Sequence, residues 1–324
     1  MVRFASEEQK AEKKATRAAF GVTLNELADA GEPIVAIDAD LSGSTTLNKF
    51  AAAHPDAFFN VGIAEQNMID VAAGLSLTGK TAFTGSFAVF GTGRAYDQIR
   101  NTVCYAGLNV KICPTHAGVS VGPDGGSHQM LEDVALMRAL PGMRVLVPAD
   151  YEAARSALKL AAATPGPVYV RMGRAALPAV YAPGVELEVG RAYVLREGTD
   201  VTVVAMGVEI REALVAADEL AREGVSVEVI DAFSVKPLDV DTIAASAAKT
   251  GAVVACEEHS VIGGLGSAVA QALSVRHPVP MEYVGMEDRF GKSGSFEELM
   301  NFFNLDSAAI VDAVKRAMAK KQVC

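Results

Sequence analysis

The sequence predicts two consecutive α/β domains, the first built on a doubly wound parallel sheet. Three observations carry this. Short apolar runs alternate with polar turns and alanine-rich amphipathic stretches, the pattern of repeated βα units. A Pro/Gly-bearing stretch without helical period, "AALPAVYAPGVELEVG" at 175–190, interrupts the pattern, which then restarts. At 324 residues, half of them hydrophobic, the chain is long enough for two cores without disulfides or metals. The expected units are residues 1–182 and 188–324.

In order along the chain, the first domain's strands are expected at "PIVAID" (33–38), "AFFNV" (57–61), "TAFTGSF" (81–87), "NVKICPT" (109–115), "MRVLVP" (143–148) and "PVYVRM" (167–172). "EQNMIDVAAGLSL" and "DYEAARSALKLAAA" have helical period. In the second domain "DVTVVAMG" (200–207), "VSVEVID" and "AVVACEE" read as strands. "IREALVAADELAREG" reads as a helix ended by Gly224, with Ile210, Ala213, Leu214, Ala217, Leu220 and Ala221 on one face.

Composition excludes some functions. A formal charge of −10 disfavours non-specific binding to nucleic acid or anionic membrane. No apolar run is long enough to span a bilayer. Cys104, Cys113, Cys256 and Cys324 form no C-x-x-C and no zinc spacing. With no signal peptide in the opening residues they read as free thiols, and the expected location is cytoplasmic.

In an open parallel sheet ligands bind beyond the carboxyl ends of the strands, so the turns there are the candidates for chemistry. "DADLSGS" places Asp40 and Ser44 either as helix-capping groups or as a hydroxyl and amides facing an anion. Glu65, in "VGIAEQN", stands at a helix entrance. A carboxylate there complements the helix dipole, or, desolvated by apolar neighbours, serves as a general acid/base. Phe87 and Phe90 are core residues or a flat stacking surface beside a glycine-rich turn.

The loop "THAGVSVGPDGGSHQ" is the strongest candidate. His116 and His128 bracket Gly118, Gly122, Gly125 and Gly126, with Asp124 and Ser127 between them. The glycines let backbone approach a ligand, and imidazoles can donate to phosphate or hydroxyl groups or shuttle protons. No third ligand completes a metal spacing. Arg171 and Arg174, at the end of a strand, suit bidentate recognition of phosphate. In "EEHSVIGGLGSAVAQAL", Gly263, Gly264 and Gly266 lack the full dinucleotide spacing and read as tight packing, with His259 as a structural or interface residue.

Taken together and in order, "ATRAAFG", "DADLSGS", "VGIAEQN", "GSFAVFGTGRAYDQ", "THAGVSVGPDGGSHQ" and "RMGRAALP" resemble the C-terminal half of transketolase, a thiamine diphosphate family. The resemblance spans the pyrimidine-binding and C-terminal domains, essentially the whole chain. It implies that Glu65 hydrogen-bonds N1′ of the aminopyrimidine and promotes loss of the thiazolium C2 proton. It implies that Phe87 and Phe90 flank the pyrimidine, with Gly93 where a further tyrosine is expected. Arg17, Ser44, His116 and Arg174 match ligands of the substrate phosphate. Asp124 matches a reader of a sugar hydroxyl, His128 a residue near the reacting carbons, and Asp40 a cofactor-side and interface aspartate. Arg171 has no counterpart and stands as an accessory cation.

No Gly-Asp-Gly occurs, so this chain lacks the motif that holds Mg²⁺ and the diphosphate. The resemblance therefore implies a split enzyme of the pentose phosphate pathway. An N-terminal diphosphate-binding subunit would supply the Mg²⁺ ligands, in a heterotetramer containing two copies of each chain. The expected reaction moves a two-carbon ketol unit between sugar phosphates. The alternatives are a 1-deoxyxylulose-5-phosphate synthase-like enzyme, a 2-oxoacid dehydrogenase β-subunit-like enzyme, or a non-catalytic regulatory subunit.

Overall fold

The computed structural model describes residues 3–321, so Cys324 and the first two residues lie outside it. The strands, in chain order, are β1 Lys13–Ala15, β2 Ile34–Asp38, β3 Phe58–Asn60, β4 Thr81–Gly85, β5 Val110–Ile112, β6 Arg144–Leu146 and β7 Val168–Val170. They continue with β8 Ala176–Pro178, β9 Tyr193–Arg196, β10 Val201–Ala205, β11 Val227–Asp231, β12 Ser234–Lys236, β13 Val253–Ser260 and β14 Met281–Met286. All six strands expected in the first domain are present. Their ends are shorter because the terminal residues turn away into the loops.

The first sheet has seven strands in the order β12-β6-β7-β5-β4-β2-β3. Neighbours are parallel except for the β12–β6 pair. β2 and β4 are buried along their whole length, as continuous apolar runs in a sheet covered on both faces should be. Helices Ala19–Asp29, Glu65–Ser76 and Tyr151–Ala163 pack around it. The second sheet has five strands in the order β14-β13-β10-β11-β9, with only β9 antiparallel to its neighbour.

Three details depart from the sequence reading. The edge strand β12 comes from the second unit but pairs with β6 of the first, so the two cores are continuous rather than merely adjacent. The supposed linker contains β8, which pairs antiparallel with β1. Three residues are too few to leave a periodic signal. In the helix Glu209–Arg222 the buried stripe includes Ala216 and excludes Ala221, and Glu209 and Glu212 lie in it. Periodicity of apolar residues cannot register buried carboxylates.

Cys104, Cys113 and Cys256 are free thiols, as expected. Among the described residues no helix is long and apolar enough to cross a membrane.

The connection between the units is held by buried acids. Asp150 accepts the backbone N–H groups of Val180 (2.6 Å) and Tyr181 (2.8 Å), and the Tyr181 hydroxyl donates to Asp231 at 2.6 Å. Burial pushes the Asp231 carboxyl up to about 7. A carboxyl raised on folding favours the protonated native state. Its charge therefore works against folding increasingly as pH rises from the unfolded value toward 7. Asp231→Asn should gain melting temperature relative to wild type as pH is raised from 4 to 8, measured by thermal unfolding. A difference independent of pH would remove Asp231 as the titrating group.

Candidate active site

The turn after β2 is organised by Asp38, not Asp40. Buried Asp38 accepts from the Leu41 N–H at 2.7 Å and from the Thr45 hydroxyl at 3.4 Å. Burial raises its carboxyl to about 6 against those hydrogen bonds. Of the two aspartates that end this strand, the capping role falls to Asp38. Asp40, exposed and held at φ +63°, accepts from the Asn60 amide at 3.3 Å. Ser44 is half-buried, and its carbonyl accepts from Arg17 at 2.6 Å.

Arg17 is brought to Arg174 by the residues beside each of them. The Gly173 N–H donates to the Thr16 hydroxyl at 2.7 Å, and Thr16 in turn faces the Gly173 carbonyl at 3.3 Å. Two guanidinium groups therefore converge. Burial first, and the charge of Arg174 second, loosen the hold of Arg17 on its proton. Arg174 also bonds the Val121 carbonyl and lies 3.5 Å from Asp124.

His116 is 3 % exposed and held at φ +59°. Its ring stacks on Phe87 at 3.8 Å between centroids, and its Nδ1 lies 2.7 Å from the Thr115 hydroxyl. Burial, then the nearby charges of Arg17 and Arg174, push its pKa down to about 3. It is therefore a neutral imidazole, offering a hydrogen bond rather than a charge. Phe87 and Phe90 lie nearly parallel, 6.2 Å apart. His128 meets Phe90 edge-on at 5.4 Å and has Ser127 Oγ 3.0 Å from its Nδ1.

Glu65 begins the helix Glu65–Ser76 and is 2 % exposed, so the helix-entrance position and its burial are both present. Its neighbour was not foreseen. Arg94 Nη1 donates to both carboxylate oxygens, at 3.0 and 2.9 Å, and the same guanidinium covers the Phe90 ring at 4.6 Å. Arg94 lies in "GTGRAYDQ", at the end of a π-helical turn Val89–Arg94, a widened geometry frequent at functional sites. The available signal was physical: a buried carboxylate needs a cation.

Glu65, Arg94, Phe90, Phe87 and His116 thus form one row that runs into the Arg17–Arg174 pair and Asp124. An acid, an aromatic face and a cationic end in that order fit a flat, protonatable heterocycle beside an anion-tipped substrate. Ser44 joins through Arg17, while Asp40 stays outside this contact chain. Two clefts of about 1030 and 800 Å³ contain none of these residues. No group of three His, Cys, Asp or Glu side chains among the described residues is arranged to hold a metal.

Arg171 is not among the partly accessible cations of the site. It is 5 % exposed, and its Nε donates to Asp133 at 2.8 Å. His259, fully buried, accepts from the Ala135 N–H at 3.3 Å and has Nδ1 2.7 Å from the Ser260 carbonyl, the structural role expected of it. The Gly263–Gly266 turn is no phosphate loop, because the Glu257 carboxylate accepts the N–H groups of Leu265 (2.6 Å) and Gly266 (2.8 Å) at the helix start. The protein has filled its own anion position.

Comparison with known proteins gives matches over both domains. Residues 12–180 match the transketolase pyrimidine-binding domain and residues 190–310 the transketolase C-terminal domain. The chain is 44 % identical to a predicted transketolase C-terminal section of Methanocaldococcus jannaschii, over 95 % of this chain and 98 % of that one. It is 42 % identical to a 6-deoxy-6-sulfo-D-fructose transketolase subunit of a Clostridium species, over 97 % of this chain and 98 % of that one. Among solved structures it is similar to a split-gene transketolase in an inactive β4 tetramer. That match has a TM-score of 0.87 and 50 % identity, covering 95 % of this chain and 99 % of the other.

Replacing Arg94 strands a buried carboxylate, a loss reduced by the arginine's own exposure of 48 %. Arg94→Ala should lower stability by about 1–2 kcal/mol, read from the denaturant midpoint at pH 7. An unchanged midpoint would show that the pair contributes nothing to the fold.

Proposed function

The chain belongs to the transketolase family, and from that premise we propose that it is the C-terminal subunit of a split transketolase. It transfers a two-carbon ketol unit from a ketose phosphate to an aldose phosphate, in the cytoplasm, within the pentose phosphate pathway. Its functional units are residues 1–182 and 188–324. The observation that carries the reading is the row from Glu65 through Phe90 and Phe87 to the paired Arg17 and Arg174.

Thiamine diphosphate, when bound, supplies the carbon nucleophile that cleaves and re-forms the ketose carbon–carbon bond. The residues present fit its pyrimidine end. Glu65 holds or shares a proton at ring N1′, Phe90 and Phe87 supply the stacking surface, and Asp40 faces the cofactor side and the interface. Arg94 now occupies the Glu65 carboxylate, and it would have to withdraw for Glu65 to hold the cofactor's ring nitrogen. The residues do not fit the diphosphate end: the Gly-Asp-Gly motif is missing, as is any set of metal ligands among the described residues. We assign Mg²⁺ and the diphosphate to an N-terminal subunit, in a heterotetramer that also pairs two copies of this chain. The β4 assembly of the similar split-gene protein, which is inactive, supports this division.

At the other end, Arg17 and Arg174 bind the substrate phosphate as two cations. Neutral His116 and the Ser44 hydroxyl add hydrogen bonds. Asp124 reads a sugar hydroxyl, and His128 stands near the reacting carbons. This anion site argues against a 2-oxoacid dehydrogenase β-subunit, which has no sugar phosphate to hold. The relative named for a sulfo-sugar leaves the anionic tip as the shared feature and the sugar itself open. A synthase acting on pyruvate would share the histidine loop, and ketol transfer against pyruvate decarboxylation separates the two.

Two outcomes are expected. The isolated chain shows no ketol transfer, and addition of the N-terminal subunit restores it. Turnover by the chain alone would break the split-enzyme reading. In the assembled enzyme, Glu65→Ala should lower kcat about 10²–10⁴-fold, the usual range for a lost acid/base group. A normal rate would take Glu65 out of the chemistry.

A further inference from the structure

The mechanism above uses nothing from the second domain. Yet the loop that carries Asp124 and His128 rests on it. The loop is closed at its base by the Gly118 N–H donating to the Met130 carbonyl at 2.9 Å. Between those ends it has no strand and only single turns of helix, and three of its glycines hold positive φ. Such a segment needs outside contacts to hold one conformation.

Those contacts come from two places in the second domain. At the end of β13, the Glu258 carboxylate, 2 % exposed, accepts the N–H of Ser120. A side chain at Gly118 would collide with that same carboxylate, so the loop backbone lies directly against it. Further along, Gln129 donates to the Lys292 carbonyl at 3.0 Å and to the Val119 carbonyl at 3.2 Å. Gly126 closes on the Gly291 carbonyl, leaving no room for a Cβ.

Glu258 is itself fixed from behind. Arg171 donates to its carbonyl at 2.9 Å and lies 3.8 Å from its carboxylate, while Asp133 holds the other edge of the guanidinium. The buried acid therefore has one free task, which is to anchor the loop amide.

We propose that Glu258 is a positioning residue: a carboxylate of the second domain that pins the 117–130 loop at Ser120 and thereby places Asp124 and His128 for a sugar-phosphate substrate. The proposal rests on the reading of those two residues as substrate ligands. It gives the second domain a part in the site and gives Arg171 its task as the support of Glu258.

Three variants separate acceptor from charge. Glu258→Gln keeps an oxygen that can accept from Ser120. Glu258→Asp keeps the charge beside Arg171 but falls one methylene short of the loop. Glu258→Ala removes both, and if it does not fold the other two still decide. In the full-length chain alone, amide hydrogen exchange within 117–130 should accelerate about tenfold or more in Glu258→Asp and stay at the wild-type rate in Glu258→Gln, with amides of β10 and β13 unchanged in both. Wild-type exchange in Glu258→Asp, uniform acceleration across the chain, or failure of Glu258→Gln to protect the loop would each overturn the proposal. In the assembled enzyme, Glu258→Asp should raise KM for the ketose phosphate about tenfold and lower kcat as Asp124 and His128 shift together, while Glu258→Gln keeps both within about twofold of wild type. An unchanged KM would overturn the substrate-placing half. If the wild-type assembly transfers no ketol unit, the reading of the site fails, while the exchange experiment still tests the anchor.

Discussion

The structure depends on one buried cation. Arg171 emerges from the end of β7 into the interior, where an unpaired guanidinium would cost several kcal/mol. It is tolerated because Asp133, at the start of the helix Asp133–Ala139, and Glu258, at the end of β13, converge on it. The Tyr169 hydroxyl donates to Asp133 at 2.5 Å and His259 packs against the same carboxylate, so each member of this cluster has a partner. The result joins the two domains through charge as well as through apolar surface. Loss of any member would leave its neighbours buried and uncompensated.

A second constraint follows from the sheet. Parallel strands deliver their carboxyl ends to one side, and the site is assembled there from the turns after β2, β4, β5 and β7. Each turn brings one chemical type: the Asp38-capped turn supplies Ser44, the β4 turn supplies Phe87 and Phe90, the β5 turn His116, and the β7 turn Arg174. Glu65 enters from the helix after β3. The site lies apart from the 1030 and 800 Å³ clefts, and no group of three His, Cys, Asp or Glu among the described residues is arranged there to hold a metal. The arrangement has a cationic end at Arg17 and Arg174 and an acidic end where Glu65 meets Arg94.

The roles of charge also separate by depth. Arg17 and Arg174 stay partly accessible and can exchange water for an anion. Arg171, only a few residues away in sequence, is spent on structure. Likewise Glu257 caps a helix, Glu258 supports a loop and Glu65 faces the open site, although all three are buried carboxylates.

Much of this was legible in the amino-acid sequence. Apolar runs of strand length, helical spacing and glycine-bearing turns are local properties, and they determined the α/β class, most of the strands and which turns lie at the strands' carboxyl ends. Glu65, Phe87, Phe90, His116 and Arg174 could be nominated because their types recur in recognisable local motifs. Which charges meet was decided only by tertiary structure. Arg94 reaches Glu65 across 29 residues, and Glu258 reaches Ser120 across 138. The two arginines of "RMGR" divide between core and site by the direction in which the chain leaves β7. An ion pair between distant segments leaves no spacing to read, since its energy depends on desolvation and distance, and both exist only once the sheets have packed.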